Sequence, residues 1–228
     1  IPLFQAIFFR GVGAVIFLMI MCRVLNQLRY RFPLRDWGLL LVRTAGEVGG
    51  TFFFLTALFN MPIANVSAIL QVLPLSVSLA AALFLGEALG WRRLTAIFGG
   101  FVGVMLIIQP GGADFSIYSI YALGAVACIT LRDIAVRRMS RDVPSVFVAL
   151  IAAVGVTGLG AVGSLFVEWQ PFTITSGLQL AGAMAFLLIG YIASVSAMRN
   201  GEIGFDAPFR YTGLLVALVL GVYVLGEW

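Results

Sequence analysis

Residues Pro62 to Leu85, PIANVSAILQVLPLSVSLAAALFL, run for 24 residues without a charged side chain. A helix needs roughly 20 predominantly apolar residues to cross a bilayer, so this stretch is long enough to span one. Seven other stretches read the same way: 4–22, 37–59, 94–109, 118–136, 145–167, 177–198 and 207–226. The composition demands such a solvent. Of 228 residues, 61% are hydrophobic and 11% charged, against about 45–50% and about 25% in a soluble domain. One soluble core of this size could not hide that apolar surface, which excludes a soluble enzyme and a nucleic-acid-binding domain. Abundant large apolar residues also exclude a disordered chain. The segments are continuously apolar and too long for alternating barrel strands. The expected fold class is an all-α polytopic membrane protein.

Two absences narrow the chemistry. The chain has no His, which removes the commonest metal ligand and the usual neutral-pH proton carrier, together with Ser–His and Cys–His catalytic arrangements. Cys22 and Cys128 sit far apart in or near apolar runs and indicate neither a disulfide framework nor a thiolate metal site. With no phosphate loop, nucleotide-binding motif or EF-hand pattern, the expectation is no cofactor, no metal and no catalytic residue. Any energy source is then a gradient or counter-substrate rather than ATP hydrolysed by this chain.

All fourteen basic residues are Arg, and they sort by position. Arg23, Arg29, Arg31 and Arg35 follow the first span, and Arg92 and Arg93 the third. Arg132, Arg137, Arg138 and Arg141 mark the end of the fifth, and Arg199 and Arg210 flank the connection after the seventh. These are alternate connections, whereas 60–62, 109–117 and 168–176 hold no basic residue. By the positive-inside rule the Arg-rich side is cytoplasmic and both ends of this chain face out. Only Arg10 and Arg43 fall outside the pattern. The localisation expected is the cell inner membrane, multi-pass, in contact with membrane lipid.

A shift of 140 residues aligns the sequence with itself. Ala57 meets Ala197, Asn60 meets Asn200, Ile63 meets Ile203, Leu75 meets Leu215, and Leu85-Gly86-Glu87 meets Leu225-Gly226-Glu227. The shift equals five spans, an odd number, so the two copies insert with opposite orientation. That is the inverted-repeat plan of secondary transporters, whose sites lie between repeats near the midplane. The expected organisation is two five-helix units, with residues 1–111 as the first repeat and 112–228 as the second. Span five opens the second copy and span four closes the first, so eight helices of ten are expected here, the first and last being absent.

These segments resemble the EamA-type transporters of the drug/metabolite transporter superfamily. The run Phe52 to Gly111 shows an Ala-Leu pair, a small-residue segment, a mid-helix Pro, a Leu-Gly-Glu end, a basic turn and a Gly-rich closing helix. The second copy supplies APFRYTGLLVALVLGVYVLGEW, Ala207 to Trp228, which is similar to the corresponding family stretch. Phe8–Gly11 and the Arg43-Thr44 pair also look like family positions. The resemblance implies ten helices, cytoplasmic termini in the intact protein, and export or exchange of small metabolites.

Five residues are the candidate substrate-binding set: Glu47, Arg43, Gln71, Tyr191 and Tyr211. Glu47 lies deep in span two, where a lone carboxylate costs several kcal/mol. It must be protonated, paired or facing a polar cavity. Arg43 is four residues earlier on the same helical face, so the two form either a structural pair or a site whose carboxylate changes charge during a cycle. Gln71 precedes Pro74 by three residues, and a Pro inside a helix frees a carbonyl and bends the axis. Its amide serves either a ligand or interhelical packing, the latter worth ~0.6 kcal/mol. Tyr191 and Tyr211, with Ser194, Ser196 and Thr212, would suit an amphipathic metabolite; packing or an interfacial belt is the alternative for the tyrosines. Asp133 and Arg137 are spaced to pair, whereas adjacent Arg132 and Asp133 point apart. Arg10 has no charge close in sequence and either snorkels outward or faces a missing helix.

Gly46 with Gly50, Gly86 with Gly90, and Gly99 with Gly103 have the spacing that lets helix backbones approach, and the span-four pair allows a homodimer. The leading reading is a secondary transporter, not an enzyme, moving a small organic metabolite by alternating access. Export or exchange would be driven by a gradient. The alternatives are a non-transporting scaffold or partner subunit, and an intramembrane enzyme, which this inventory of one deep carboxylate and no His disfavours.

Overall fold

The computed structural model describes residues 2–28, 33–86, 90–108, 116–140, 142–171, 173–200 and 212–225. Every described element is helical: α1 (Leu3–Val24), α2 (Leu34–Asn60), α3 (Ile63–Leu70), α4 (Leu73–Leu85), α5 (Trp91–Ile108), α6 (Ile117–Arg138), α7 (Ser145–Ser164), α8 (Ile174–Asn200) and α9 (Thr212–Leu220), the last continuing as a π-helical stretch Gly221–Leu225. α1, α2, the α3–α4 segment, α6 and α7 are each long and apolar enough to cross a membrane, and Leu94–Leu106 and Ile174–Leu187 are shorter apolar stretches. The chain is a multi-pass membrane protein.

Proline sets four of the helix starts. Pro2, Pro33, Pro62 and Pro144 each stand immediately before a helix, where the fixed φ and missing N–H cost nothing. Their carbonyls accept the first helical bonds, from Ala6, Trp37, Val66 and Val148. Pro74 acts differently. The segment expected as one bent helix is two: α3 ends at Leu70, Gln71 and Val72 form a tight turn, and α4 starts at Leu73 with Pro74 in its first turn. The amides of Gln71 and Val72 bond back three residues, to Ala68 and Ile69, and Pro74 has no N–H to offer the Leu70 carbonyl. Gly86 then stops α4 at φ +70°, a left-handed conformation that glycine adopts without a Cβ clash. Gly86 and Gly90 therefore do not make the packing pair their spacing predicted, since nothing lies within 4 Å of a Cβ built on either.

The helices form two compact units, each built from two separate stretches of chain. The first comprises Ile1–Val48 and Ala135–Gly201. Here α1 packs along α7 and against α8. Phe4 lies at Gly163, Phe8 at Gly160, and Gly11 at Thr157, while Leu18 and Cys22 share a cluster with Val146, Ala149 and Leu150; α1 and α7 are antiparallel. Lipid is as apolar as leucine, so this close approach, rather than escape from water, holds the pair together. Gln5, 1% exposed, pins the connection after α7: its Nε2 donates to the Gln170 carbonyl at 2.9 Å and its Oε1 accepts from the Gln170 amide at 3.2 Å. Trp169 packs on Phe8 and Phe9 beside it. At the start of α2, Leu40 clusters with Val143 and Val148.

The second unit comprises Gly49–Ile134 and Glu202–Trp228. Its core gathers Ala57 of α2, Val66 and Ile69 of α3, Val104 and Ile108 of α5, and Ala122 and Val126 of α6. α9 packs against α3, and α5 against both α3 and α4. Phe53 stacks edge-on to Tyr121 and covers Gly124. Below the break, Ser76 Oγ and Thr130 Oγ1 lie 2.8 Å apart, joining α4 to α6. Among the described residues nothing lies within 4 Å of a Cβ built on Gly99 or Gly103 of α5.

A Cβ at Gly160 would sit 2.6 Å from the Phe8 amide nitrogen and 2.8 Å from its Cα, main-chain atoms that cannot swing aside. Gly160→Ala is therefore expected to destabilise the fold by about 1–3 kcal/mol. Gly158→Ala, at a position with nothing within 4 Å, should be neutral or slightly stabilising through helix propensity. Thermal unfolding of both variants in detergent compares them directly.

Candidate functional site

The deepest described charges lie in the first unit. Glu47 is the middle residue of α2 (Leu34–Asn60), and Arg43 Nη2 stands 3.5 Å from its Oε2. One helical turn separates them, the spacing at which opposite charges meet on a helix face. The Arg43 side chain is 11% exposed and that of Glu47 is 27% exposed, so the carboxylate is the more open partner. Beside Arg43, the Thr44 hydroxyl is buried with no hydrogen-bond partner among the described residues. Arg10 of α1 is half-buried.

Gln71 belongs to the second unit. It occupies the turn between α3 and α4 and is half-buried. Its side-chain amide makes no hydrogen bond to a described residue. Ser76 and Ser78 just below bond to the Leu73 and Pro74 carbonyls, leaving the turn itself uncovered by its own helix. A separate small cavity of about 170 Å³ is lined by Asn60, Asn65, Ser116 and Ser119 together with apolar residues. It sits at the Asn60–Pro62 connection and does not include Gln71. The side chains of Tyr191, Ser194 and Ser196, and all of Tyr211, lie outside the described residues. Hence the structure pairs Arg43 with Glu47, sets Gln71 at a helix break, and leaves the two tyrosines undescribed.

One expectation about charges changes. Arg132 Nε donates to Asp133 Oδ1 at 2.9 Å: adjacent side chains leave a helix about 100° apart, but the long arginine wraps back around it. Asp36 lies in the first turn of α2 and is 5% exposed; its Oδ1 accepts the Ser140 amide at 3.3 Å. Only its position at a helix start, favourable for an acidic side chain, signalled this in the sequence. Nothing in the sequence signalled that Gln5 would be buried.

A riboflavin transporter of Vibrio cholerae serotype O1 is 29% identical over 202 residues, covering 87% of this chain and 67% of that protein. An S-adenosylmethionine uptake transporter of Rickettsia felis is 23% identical over 172 residues, covering 73% of this chain and 56% of that protein. A pseudopaline exporter of Pseudomonas aeruginosa is 24% identical over 234 residues, covering 94% and 75% respectively. The chain thus spans about two thirds of the first relative's length and just over half of the second's. One solved crystal structure superposes with a TM-score of 0.63 at 24% identity over the whole of this chain and 81% of its own, a likeness of fold. The family described as "EamA-like transporter family" matches residues 1–109. The matched stretch includes the first of the two Gly-Glu segments that carry the resemblance, Gly86-Glu87.

Proposed function

We propose that this chain is the body of a secondary transporter that moves a small organic metabolite across the cytoplasmic membrane by alternating access, in export or exchange driven by a gradient. The observation that carries this reading is the interruption of the Ile63–Leu85 segment at Gln71 and Val72. A helix broken near the middle of a membrane is stable only where neighbours, side chains or a water-filled cavity satisfy the freed backbone, and transporters place substrates at such breaks. Gln71 offers an amide there. Relatives named for riboflavin, S-adenosylmethionine and pseudopaline support an organic metabolite as the cargo.

The inverted-repeat organisation, 1–111 and 112–228, draws support from the helix limits. α2 and α8 are both 27 residues long and start 140 residues apart. α1 and α7 end 140 residues apart, and so do α4 and the π-helical stretch after α9. Copies inserted in opposite senses bring equivalent helices together antiparallel, as α1 and α7 are. The same offset makes Tyr211 the counterpart of Gln71, a reason to keep both in the substrate-binding set with Tyr191, Arg43 and Glu47. In this reading Glu47 gains and loses a proton, or exchanges Arg43 for substrate, during the cycle.

Two outcomes are expected. Reconstituted into liposomes, the protein carries out saturable flux that responds to a pH or counter-substrate gradient. Glu47→Gln lowers that flux at least about tenfold, which is about 1.4 kcal/mol, and flattens its pH dependence; unchanged flux and pH dependence would remove Glu47 from the site. For orientation, single cysteines placed at Met61 and at Arg138 in a background lacking Cys22 and Cys128 separate the two sides. A membrane-impermeant thiol reagent applied to whole cells should label position 61 and not 138; the reverse pattern contradicts an inward-facing Arg-rich surface.

A further inference from the structure

A cavity of about 170 Å³ opens in the second unit where α2 and α5 end and α3 and α6 begin. Asn60 is the last residue of α2, and Asn65 lies in the first turn of α3. Ser116 stands immediately before α6, and Ser119 lies in its first turn. Ile69 and Ile108, 0% and 5% exposed, line it from the core of the unit. Four uncharged polar side chains thus share one small space with apolar walls. The connection at 60–62 holds no basic residue, so in the proposed orientation this is the outer end of the bundle.

Hydrogen-bonding capacity is left over inside the cavity. The backbone amides of Asn65 and Ser119 bond to the Pro62 and Ser116 carbonyls, but neither side chain bonds to a described residue. Elsewhere helical hydroxyls return to their own carbonyls: Thr130 to Val126, Thr157 to Ala153, Ser164 to Ala161. Asn65 and Ser119 are each third in their helix, where no complete turn precedes them to supply such an acceptor. Asn60 Nδ2 donates to the Thr56 carbonyl at 2.7 Å, which leaves its Oδ1 to accept. Ser116 Oγ accepts the Tyr118 amide at 3.3 Å, which leaves its proton to donate. Ser119 is 4% exposed, and polar groups so buried are nearly always hydrogen-bonded. Its partner comes from the cavity.

Size and chemistry then select the occupant. At about 30 Å³ per liquid water the space equals roughly five or six waters, well below the roughly 300–1,000 Å³ of a pocket for a whole drug-sized ligand. It takes a fragment of a metabolite. No described lining residue is charged. Carboxamides and hydroxyls both donate and accept, as polyol hydroxyls do, and a polyol's carbon skeleton suits walls such as Ile69 and Ile108.

We infer that this cavity is a subsite for an uncharged, polyhydroxylated group of the transported metabolite, met at the outer face. This rests on the transporter reading and names one part of its cargo.

Ribitol, an uncharged polyol, is the probe. Titrated against the purified full chain in phosphatidylcholine nanodiscs, whose headgroup bears no hydroxyl, it should bind saturably at millimolar concentration by ligand-observed NMR. Ser119→Ala and Asn65→Leu should each weaken binding about fivefold, the scale of one hydrogen bond. Gly158→Ala, in the first unit, should leave it unchanged. Should one cavity variant fail to fold, the other decides. No saturation in the wild type, or unchanged affinity in the folded cavity variants, overturns the assignment. Phosphatidylglycerol, whose headgroup carries hydroxyls, separates the sources. Ribitol binding that persists in its presence supports a solute site; displacement gives the cavity to lipid and overturns the cargo assignment. In proteoliposomes the flux probes are riboflavin and S-adenosylmethionine, which carry a ribityl chain and a ribose. Ribitol should inhibit their saturable flux, and inhibit it less in Ser119→Ala. Saturable flux that ribitol leaves unaffected keeps the transporter and removes this inference. Ribitol binding without saturable flux of either probe removes the transporter reading, and the cargo assignment with it.

Discussion

A carboxyl group paired with an arginine in the middle of a membrane-spanning helix constrains everything around it. Glu47 and Arg43 each carry a burial cost of about 2.5–3.5 kcal/mol at the bilayer centre. At their 3.5 Å separation and an effective dielectric near 20, the attraction returns roughly 4–5 kcal/mol. The pair comes close to balance without yielding a large stabilisation, so two apolar residues would serve the fold as well. Its retention in a lipid-solvated bundle is best understood through what such a pair can do when a third charge or a ligand competes for one partner.

The remainder of the fold provides the means to hold these groups at depth. Helix association in lipid depends on close backbone approach, and α1 meets α7 through Gly11, Gly160 and Gly163. Gln5 and Trp169 fasten the connection at the end of that contact. In the second unit a different solution appears. There Pro74 divides one apolar segment into α3 and α4, and serine hydroxyls bond to carbonyls in the first turns of the second half. The result is a polar turn at Gln71 within otherwise apolar helix.

Helix positions were legible because length and hydropathy alone determine them: each expected apolar stretch meets helix, with ends within a few residues except at 207–226, whose first five positions are not described. The Arg43–Glu47 pair was legible too, since it depends only on four-residue spacing. What the sequence hid is tertiary. Gln5 of α1 and the Gln170 backbone meet through packing across 165 residues, and no local pattern encodes that. Gln71 was recognised as a neighbour of Pro74, but the sequence did not reveal that Gln71 and Val72, while keeping helical dihedrals, would close three-residue hydrogen bonds. Gly86 was misread for a similar reason: small residues at four-residue spacing look alike whether they pack or stop a helix, and only the φ of +70° distinguishes them.

The central claim is that Arg43 and Glu47 act as one functional unit in the transport cycle. A double-substitution cycle of Arg43→Gln, Glu47→Gln and the two together, read as saturable flux in proteoliposomes, tests it most directly. Groups acting as a unit give strongly non-additive losses. The account predicts that each single change removes most of the flux and that the double variant is no worse than the more damaged single one. Losses that simply multiply, or two single variants with normal flux, would contradict it.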